Sequence, residues 1–411
     1  MKILVFDHGL CTEAAIKLAE DGHTVGYHTP AYASAFPKCV NSAMGLGLKG
    51  LERVDNFWSA VDRADLIVSF DTFSQDELDY CLKHKKPIFG PGPAENLEHD
   101  RAKTKTWLKT KGLPVGPYTV CHGMTELIHT LKTTKDVWVK IDRFRGDVET
   151  FHHKDWLTTR NNILGPLLSS FGPYGEKIDF ILEEPIESDI EVGFDGFVIK
   201  GDIAMPGLIG FEDKDKSYIG RVVHESDIPE PLCVVNDALE DYFTDLETSS
   251  LFSTEIRIGK DGKGYLIDPC IRAPHPPLAV ELEMYGNFAD LVTGANDTNN
   301  VPDMLDQYGC AVEIYSSESS EHWLRLDFDY KYRDQIKLQQ ACMIDGVFYS
   351  LPGSFIVATV VGTSSTVDKA IAECCKALET FKCEGMHHDI NSLHKIKDVM
   401  IPAGEKKGIK F

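Results

Sequence analysis

Over its first hundred residues the chain alternates short apolar runs with amphipathic stretches, and few folds can absorb that rhythm. Ile3 to Phe6 reads as a buried strand, Thr12 to Glu20 as a helix stopped by Gly22, and Thr24 to Tyr27 as a second strand. Leu66 to Phe70, Gln75 to Lys83 and Pro87 to Gly90 repeat the cycle. Strands linked through helices lie parallel, since a tight hairpin joins only antiparallel neighbours. Residues 1 to 98 are therefore expected to form a small doubly wound sheet. Ligands of such sheets bind beyond the carboxyl ends of the strands, here near His8-Gly9, Asp71-Thr72 and Gly90 to Pro93. The lone glycine after the first strand is no dinucleotide fingerprint, which argues against NAD, and Gly90 to Pro93 is more simply a turn between domains.

Residues 251 to 276 carry the second strong signal. Phe252, Thr254 and Ile256 alternate with polar neighbours, Asp261-Gly262 supplies a turn, and Tyr265 to Ile267 begins a return strand. The hairpin places Glu255 and Asp268 near one another on adjacent strands of a stretch suited to a buried sheet. Two buried like charges need a cation. A metal ion answers that need, and so does an ion pair from one carboxylate to Arg257 or Arg272; the hairpin by itself leaves both open.

Three upstream segments add charge at telling places. Asp100 can cap a helix that carries Arg101 and Lys105, at i and i+4, on one face and stops at Gly112 before Pro114. A basic helical face is ordinarily solvated, yet two cations at a domain junction of a strongly acidic chain also suit a polyphosphate. Val137 to Phe151 reads as two strands joined by a cationic loop holding Arg143, Arg145 and Gly146. Lys140 projects from the apolar first strand, where an ammonium calls for an anion unless it snorkels at a sheet edge. The strand ending in Glu183-Glu184-Pro185-Ile186 offers the Glu184 carbonyl and the Ile186 N–H at a hinge, an edge that a planar base can pair with, because Pro185 lacks an N–H. Glu191 is placed to accept ribose hydroxyls, and an acidic strand end facing water explains the same residues.

Taken in this order, the motifs resemble the ATP-grasp superfamily over roughly residues 1 to 280. Residues 86 to 120 are most similar to the phosphoribosylamine-glycine ligases, which likewise run from a Phe-Gly-Pro turn through a Leu-Glu pair and a basic helix into Gly-Leu/Ile-Pro. The resemblance implies an α/β fold, α+β in part. It divides the chain into a Rossmann-like N-terminal domain (1–98), an ATP-grasp domain of two α+β subdomains (99–304, with a lid at about 117–186) and a small C-terminal α+β domain (305–411). It also implies ATP with magnesium, or manganese in its place. By it, Lys140 matches the lysine on the ATP phosphates, with Arg143 and Arg145 beside it, and Arg101 and Lys105 match the basic helix near the nucleotide. Glu183, Glu184 and Ile186 match the adenine hinge, Glu191 the ribose acceptor, Glu255 and Asp268 the metal ligands, and Arg272 the arginine near the acyl phosphate.

The chain departs from the family pattern at three points. Cys270 stands where the second metal strand usually carries an asparagine, and a thiol is a poor ligand for a hard cation. The glycine-rich phosphate loop is reduced to Arg143-Phe144-Arg145-Gly146, and the Gly-Gly-Arg-Glu-His signature of the glycine ligases is replaced by Gly9-Leu10-Cys11-Thr12-Glu13. Beyond about residue 305, Ala311 to Tyr315 and Phe355 to Val361 read as strands and Val367 to Phe381 as a helix opened by a Ser365-x-x-Asp368 capping box.

Composition sets the outer limits. A hydrophobic fraction of 43% and a charged fraction of 26% are those of a globular protein, and no apolar run is long enough to span a bilayer. The N-terminus runs straight into a strand pattern rather than a signal peptide, and eleven cysteines without a CxxC pair fit reduced thiols, so a cytoplasmic protein is expected. A net charge of −22 opposes loose binding to nucleic acid. The expected activity is an ATP-dependent ligase that joins a small carboxylate, such as an amino acid, to an amine through an acyl phosphate. The alternative is an ATP-binding protein of that fold with impaired catalysis.

Overall fold

The computed structural model describes residues 1–29, 43–72, 74–142, 150–188, 190–295 and 297–411. Strands β1 (Lys2–Phe6), β2 (Thr24–His28), β3 (Leu51–Arg53), β4 (Leu66–Ser69) and β5 (Ile88–Phe89) form a parallel sheet in the order β3-β2-β1-β4-β5. Helices α1 (Thr12–Glu20), α2 (Phe57–Val61) and α3 (Gln75–Lys83) connect them. Alternate residues of β1 serve opposite faces: Ile3 and Val5 pack with Ala14, Ala15 and Leu18 of α1, while Leu4 and Phe6 pack with Phe57, Val61 and Leu78. Burial on both sides is why these strands read as unbroken apolar runs. The order of strands reverses between β1 and β4, and Asp7 and Asp71 follow their carboxyl ends. Asp7 is fully buried and accepts hydrogen bonds from the backbone N–H of Gly9 (3.0 Å) and Cys11 (3.1 Å) and from the Tyr27 hydroxyl (2.5 Å), so it organises the loop after β1.

The next helix, α4 (Arg101–Thr110), starts at Asp100, whose side chain accepts from the Lys103 N–H, and stops at Gly112 with φ +75°. Strands β6 (Tyr118–His122), β7 (Val137–Ile141), β8 (Thr150–His153) and β9 (Asp179–Glu183), with helix α5 (Gly123–Leu131), build an antiparallel sheet ordered β6-β9-β7-β8. Val137, Val139 and Ile141 of β7 and Phe180 and Leu182 of β9 share a core with Leu127 and Leu131 of α5. The two-residue period then turns Lys140 and Glu183 to the opposite face.

The remaining chain supplies β10 (Glu191–Ile199), β11 (Asp202–Asp213), β12 (Ser217–Val223), α6 (Glu230–Asp245), β13 (Ser250–Ile258), β14 (Gly264–Cys270), α7 (Pro277–Met284) and β15 (Tyr308–Ser316). After these come β16 (Leu324–Leu326), β17 (Ile336–Leu338), β18 (Ala341–Ile344), β19 (Val347–Ser350), β20 (Ile356–Ser364), α8 (Val367–Leu378) and β21 (Met386–His387). Among the described residues, a sheet runs β14-β13-β10-β11-β12-β15-β20-β17 with β21 beside β15, and β16, β19 and β18 form a smaller one. The expected hairpin is β13 and β14, its turn closed by the Gly259 N–H on the Lys263 carbonyl (2.9 Å) with Gly262 at φ +77°. The capping box expected of Ser365 and Asp368 does not form. Thr366 is extended and caps α8 by accepting from the Lys369 N–H (3.4 Å), so the helix begins at Val367 as expected but on a different cap, and Asp368 pairs with Lys397 (2.6 Å).

The chain divides into two compact units, one of residues 1–95, 190–255 and 270–411 and one of residues 96–189 and 256–269. The division falls within the β13–β14 hairpin. No helix among the described residues is long and apolar enough to cross a membrane.

One contact in the larger unit tolerates no added atom. A Cβ on Gly362 of β20 would lie 2.1 Å from the Ala370 carbonyl oxygen and 2.5 Å from the Cys374 nitrogen, both backbone atoms of α8. We expect Gly362→Ala to force the helix off the sheet and to cost about 1–3 kcal/mol. A urea melt checks this: the midpoint should fall with little change in slope.

Candidate functional site

In the unit of residues 96–189 and 256–269, the side chains that the core rejects meet one another. Lys140 pairs across the sheet with Ile181 and Trp138 with Glu183, so Lys140 and Glu183 are diagonal neighbours on one face. Lys140 Nζ lies 3.8 Å from Glu183 Oε1 and donates to the Ile267 carbonyl at 2.8 Å. Helix α4 crosses that face. Its i, i+4 pair points inward, with Lys105 Nζ 3.0 Å from Glu183 Oε1 and Arg101 donating to the Ile141 carbonyl at 2.7 Å. All four residues are buried. Burial depresses the Lys105 ammonium and the Lys140 charge depresses it further, while Glu183 and Asp268 act the other way.

These residues and Asp268 line one cleft, and it encloses only about 20 Å³. That is room for a water and not for a nucleotide. Glu183 therefore acts here as the anion that neutralises two desolvated lysines, and an incoming phosphate would compete with it. The water-facing reading fails for Glu183 and holds for its neighbour Glu184, which is exposed. Glu184 donates its N–H to the Pro117 carbonyl (3.0 Å), and Ile186 is half-buried. Arg143 and Arg145 lie outside the described residues.

Glu191, Glu255 and Arg272 belong to the larger unit. There Glu255 is engaged by Lys214, the residue after β11. Glu212, two residues before Lys214, is pushed up to about 8 by burial, with Glu255, Glu313 and Glu191 adding to the rise and Lys214 opposing it. Glu313 of β15 is 2.6 Å from His275 Nε2 and accepts from the Tyr315 hydroxyl at 2.5 Å. Arg272 Nε lies 4.0 Å from Asp71 Oδ1, which brings the second residue past β14 to the carboxyl end of β4. Cys270 is half-buried. Among the described residues, no three His, Cys, Asp or Glu side chains converge as a ready-made metal site.

The sequence reading passed over Glu212, Lys214, His275, Glu313 and Tyr315. A signal was present. Ser253-x-Glu255 and Glu313-x-Tyr315 each put polar groups at alternate positions of a strand, which is how a sheet lines up one polar edge.

No protein-family model matches the sequence, and no curated protein matches it. Solved structures do match in fold. Phosphoribosylamine–glycine ligase from Thermotoga maritima superposes at a TM-score of 0.70 with 14% identity, covering 94% of this chain and 98% of that one. The biotin carboxylase domain of Hydrogenobacter thermophilus 2-oxoglutarate carboxylase, in complex with MgADP, ADP and bicarbonate, gives 0.67 and 14%, over 100% and 95%. L-amino acid ligase from Bacillus licheniformis gives 0.62 and 14%, over 95% and 99%. The chain thus shares the fold of these three structures.

Glu212 gives the site a definite pH response. The folded protein holds its proton up to about pH 8, whereas the unfolded chain releases it near 4.5. Folding takes up a proton between those values, so stability contributed by this group falls as pH rises through that window. We expect Glu212→Gln, which keeps the neutral shape, to match wild type below the window and to be the more stable protein above it. Thermal melts across pH check this; a constant difference between the two would contradict it.

Proposed function

We propose that the chain is an ATP-dependent carboxylate-amine ligase that works through an acyl phosphate. The observation that carries the reading is the pair of buried lysines, Lys105 and Lys140, held on Glu183 in a cleft shared with Asp268. Such cations are poised for a polyphosphate, and the fold is one that hosts this chemistry in other proteins. A free carboxylate is a poor acyl donor because oxide would have to leave. Phosphorylation by ATP turns the leaving group into phosphate, an amine then attacks the carbonyl carbon, and ADP and phosphate are released. Lys140 would offset charge on the transferred phosphoryl group, aided by Arg143 and Arg145, with Arg101 and Lys105 beside the nucleotide. Glu184 and Ile186 would receive the adenine and Glu191 the ribose. Arg272, on its short reach to Asp71, would orient the donor carboxylate by a bidentate contact.

Magnesium would come with ATP as its substrate complex. This cation keeps several waters and needs only one or two protein carboxylates beside the phosphates, a role that Glu255 and Asp268 fit and the Cys270 thiol does not. When bound, it would neutralise phosphate charge. We further propose the division into residues 1–98, 99–304 and 305–411, with a lid near 117–186 that excludes water from the acyl phosphate. The second reading, an ATP-binding protein with impaired catalysis, is favoured by Cys270 at an amide's usual place and by the engagement of Glu255 with Lys214.

Hydroxylamine trapping tests the proposal without knowledge of the amine. With MgATP and a panel of amino acids and small acids, wild type should yield ADP and a hydroxamate with at least one acid. Lys140→Ala should lose on the order of 10² or more in that rate while its circular dichroism stays native; near wild-type turnover would remove Lys140 from the site. Cys270→Ser should retain most activity. A silent wild type that Cys270→Asn awakens would instead establish the impaired reading.

A further inference from the structure

An amine that attacks an acyl phosphate must first lose a proton, because near neutral pH it arrives as an ammonium without a lone pair. The residues assigned above have other tasks: lysine and arginine are already cationic, Glu255 and Asp268 are given to the metal, Glu183 to the two lysines, and Glu184 and Glu191 to the nucleoside. The larger unit holds another group in the right neighbourhood. His275 follows Arg272 by three residues, and its side chain remains one-third exposed, so a substrate can reach it.

We propose that His275 and Glu313 form a base dyad that deprotonates the incoming amine, a role that rests on the ligase reading. Glu313 Oε1 lies 2.6 Å from His275 Nε2, a distance that calls for an Nε2–H donating to the carboxylate. That tautomer leaves the lone pair on Nδ1, the atom that acts as base. The Gln339 amide sits 2.8 Å from the same Nε2 and 3.4 Å from Nδ1, and its buried oxygen, otherwise without a partner, is the end that the Nε2–H requires. Glu313 is itself held. Its side chain is 3% exposed, its second oxygen accepts from the Tyr315 hydroxyl at 2.5 Å, and that hydroxyl oxygen also lies 2.7 Å from the Asp215 carbonyl. The charged and titratable groups facing this carboxylate are His275, Tyr315 from its own strand, Glu212 from β11 and Lys214 from the turn after it. Burial alone would raise Glu313, but the hydrogen bonds from His275 and Tyr315 and the charges of His275 and Lys214 bring it below the usual glutamate value, so it stays an anion able to stabilise an imidazolium. A purely structural ion pair would not need an exposed ring edge.

The step balances as follows. Nδ1 takes one proton from R–NH3+, leaving R–NH2, whose lone pair forms the C–N bond as the carbonyl C–O bond to phosphate breaks. Phosphate departs with that electron pair and takes the second proton from nitrogen, and the imidazolium returns its own proton to water. His275 is then the catalytic residue and Glu313 the positioning residue.

Hydroxylamine and ammonia, alike in size, separate the roles, since hydroxylamine is mostly uncharged at neutral pH and ammonia is mostly ammonium. With the acid found by trapping, the ratio of hydroxamate to primary amide formed by His275→Asn should rise at least tenfold over wild type at neutral pH. The ratio should fall back toward the wild-type value as pH rises and ammonia sheds its proton. Glu313→Gln should move the same ratio in the same direction by a smaller factor. Hydroxamate formation with an unchanged ratio in both folded variants would overturn the dyad and leave the ligase reading standing. If wild type forms no hydroxamate with any acid, the ligase reading falls and the dyad's role falls with it.

Discussion

Two ammonium groups sharing one buried carboxylate set the terms for the smaller unit. An isolated charge withdrawn from water costs several kcal/mol, and Lys105 and Lys140 are both withdrawn, so Glu183 has to lie between them. The arrangement fixes how α4 crosses the sheet. Arg101 anchors one end of the helix to β7 through the Ile141 carbonyl, and Lys105, one turn on, is bound to β9 through Glu183. The desolvation of both lysines is thus settled on folding, and a phosphate that displaced Glu183 would exchange one anion for another at an already dry site. That is the physical meaning of preorganisation for this cleft.

The larger unit solves a different problem, crowding of like charge. Glu212, Glu255 and Glu313 approach a single lysine, Lys214, and the carboxylates cannot all remain ionised as they would in water. Their fates differ according to hydrogen bonding. Glu313 has His275 and Tyr315 and stays below the glutamate range, whereas burial lifts Glu212 to about 8. Acids of unlike proton affinity in one place are what acid–base chemistry requires, and the division follows from which strand neighbours can donate.

Local pattern carried much of the fold. The helices Thr12–Glu20 and Gln75–Lys83 have the limits read from their periodicity, the Asp100 cap and Gly112 stop are where the residue types place them, and the Asp261-Gly262 turn closes its hairpin. Each rests on interactions within a few residues, which sequence encodes directly. The capping of α8 shows the limit of this. Ser365 and Thr366 are both able caps, and the backbone conformation at Thr366 chose between them.

The sequence alone determined that Lys140 would stand on an apolar strand in need of an anion, and that Arg101 and Lys105 would share a helical face. Both follow from the fixed periods of strand and helix. Only the tertiary structure decided that the anion is Glu183, that the helix turns its basic face inward, and that Glu255 meets Lys214. It alone brought Glu313 to His275, 38 residues apart in sequence. Such pairings are made between strands whose order in a sheet depends on the packing of the whole unit, and no local period records that order.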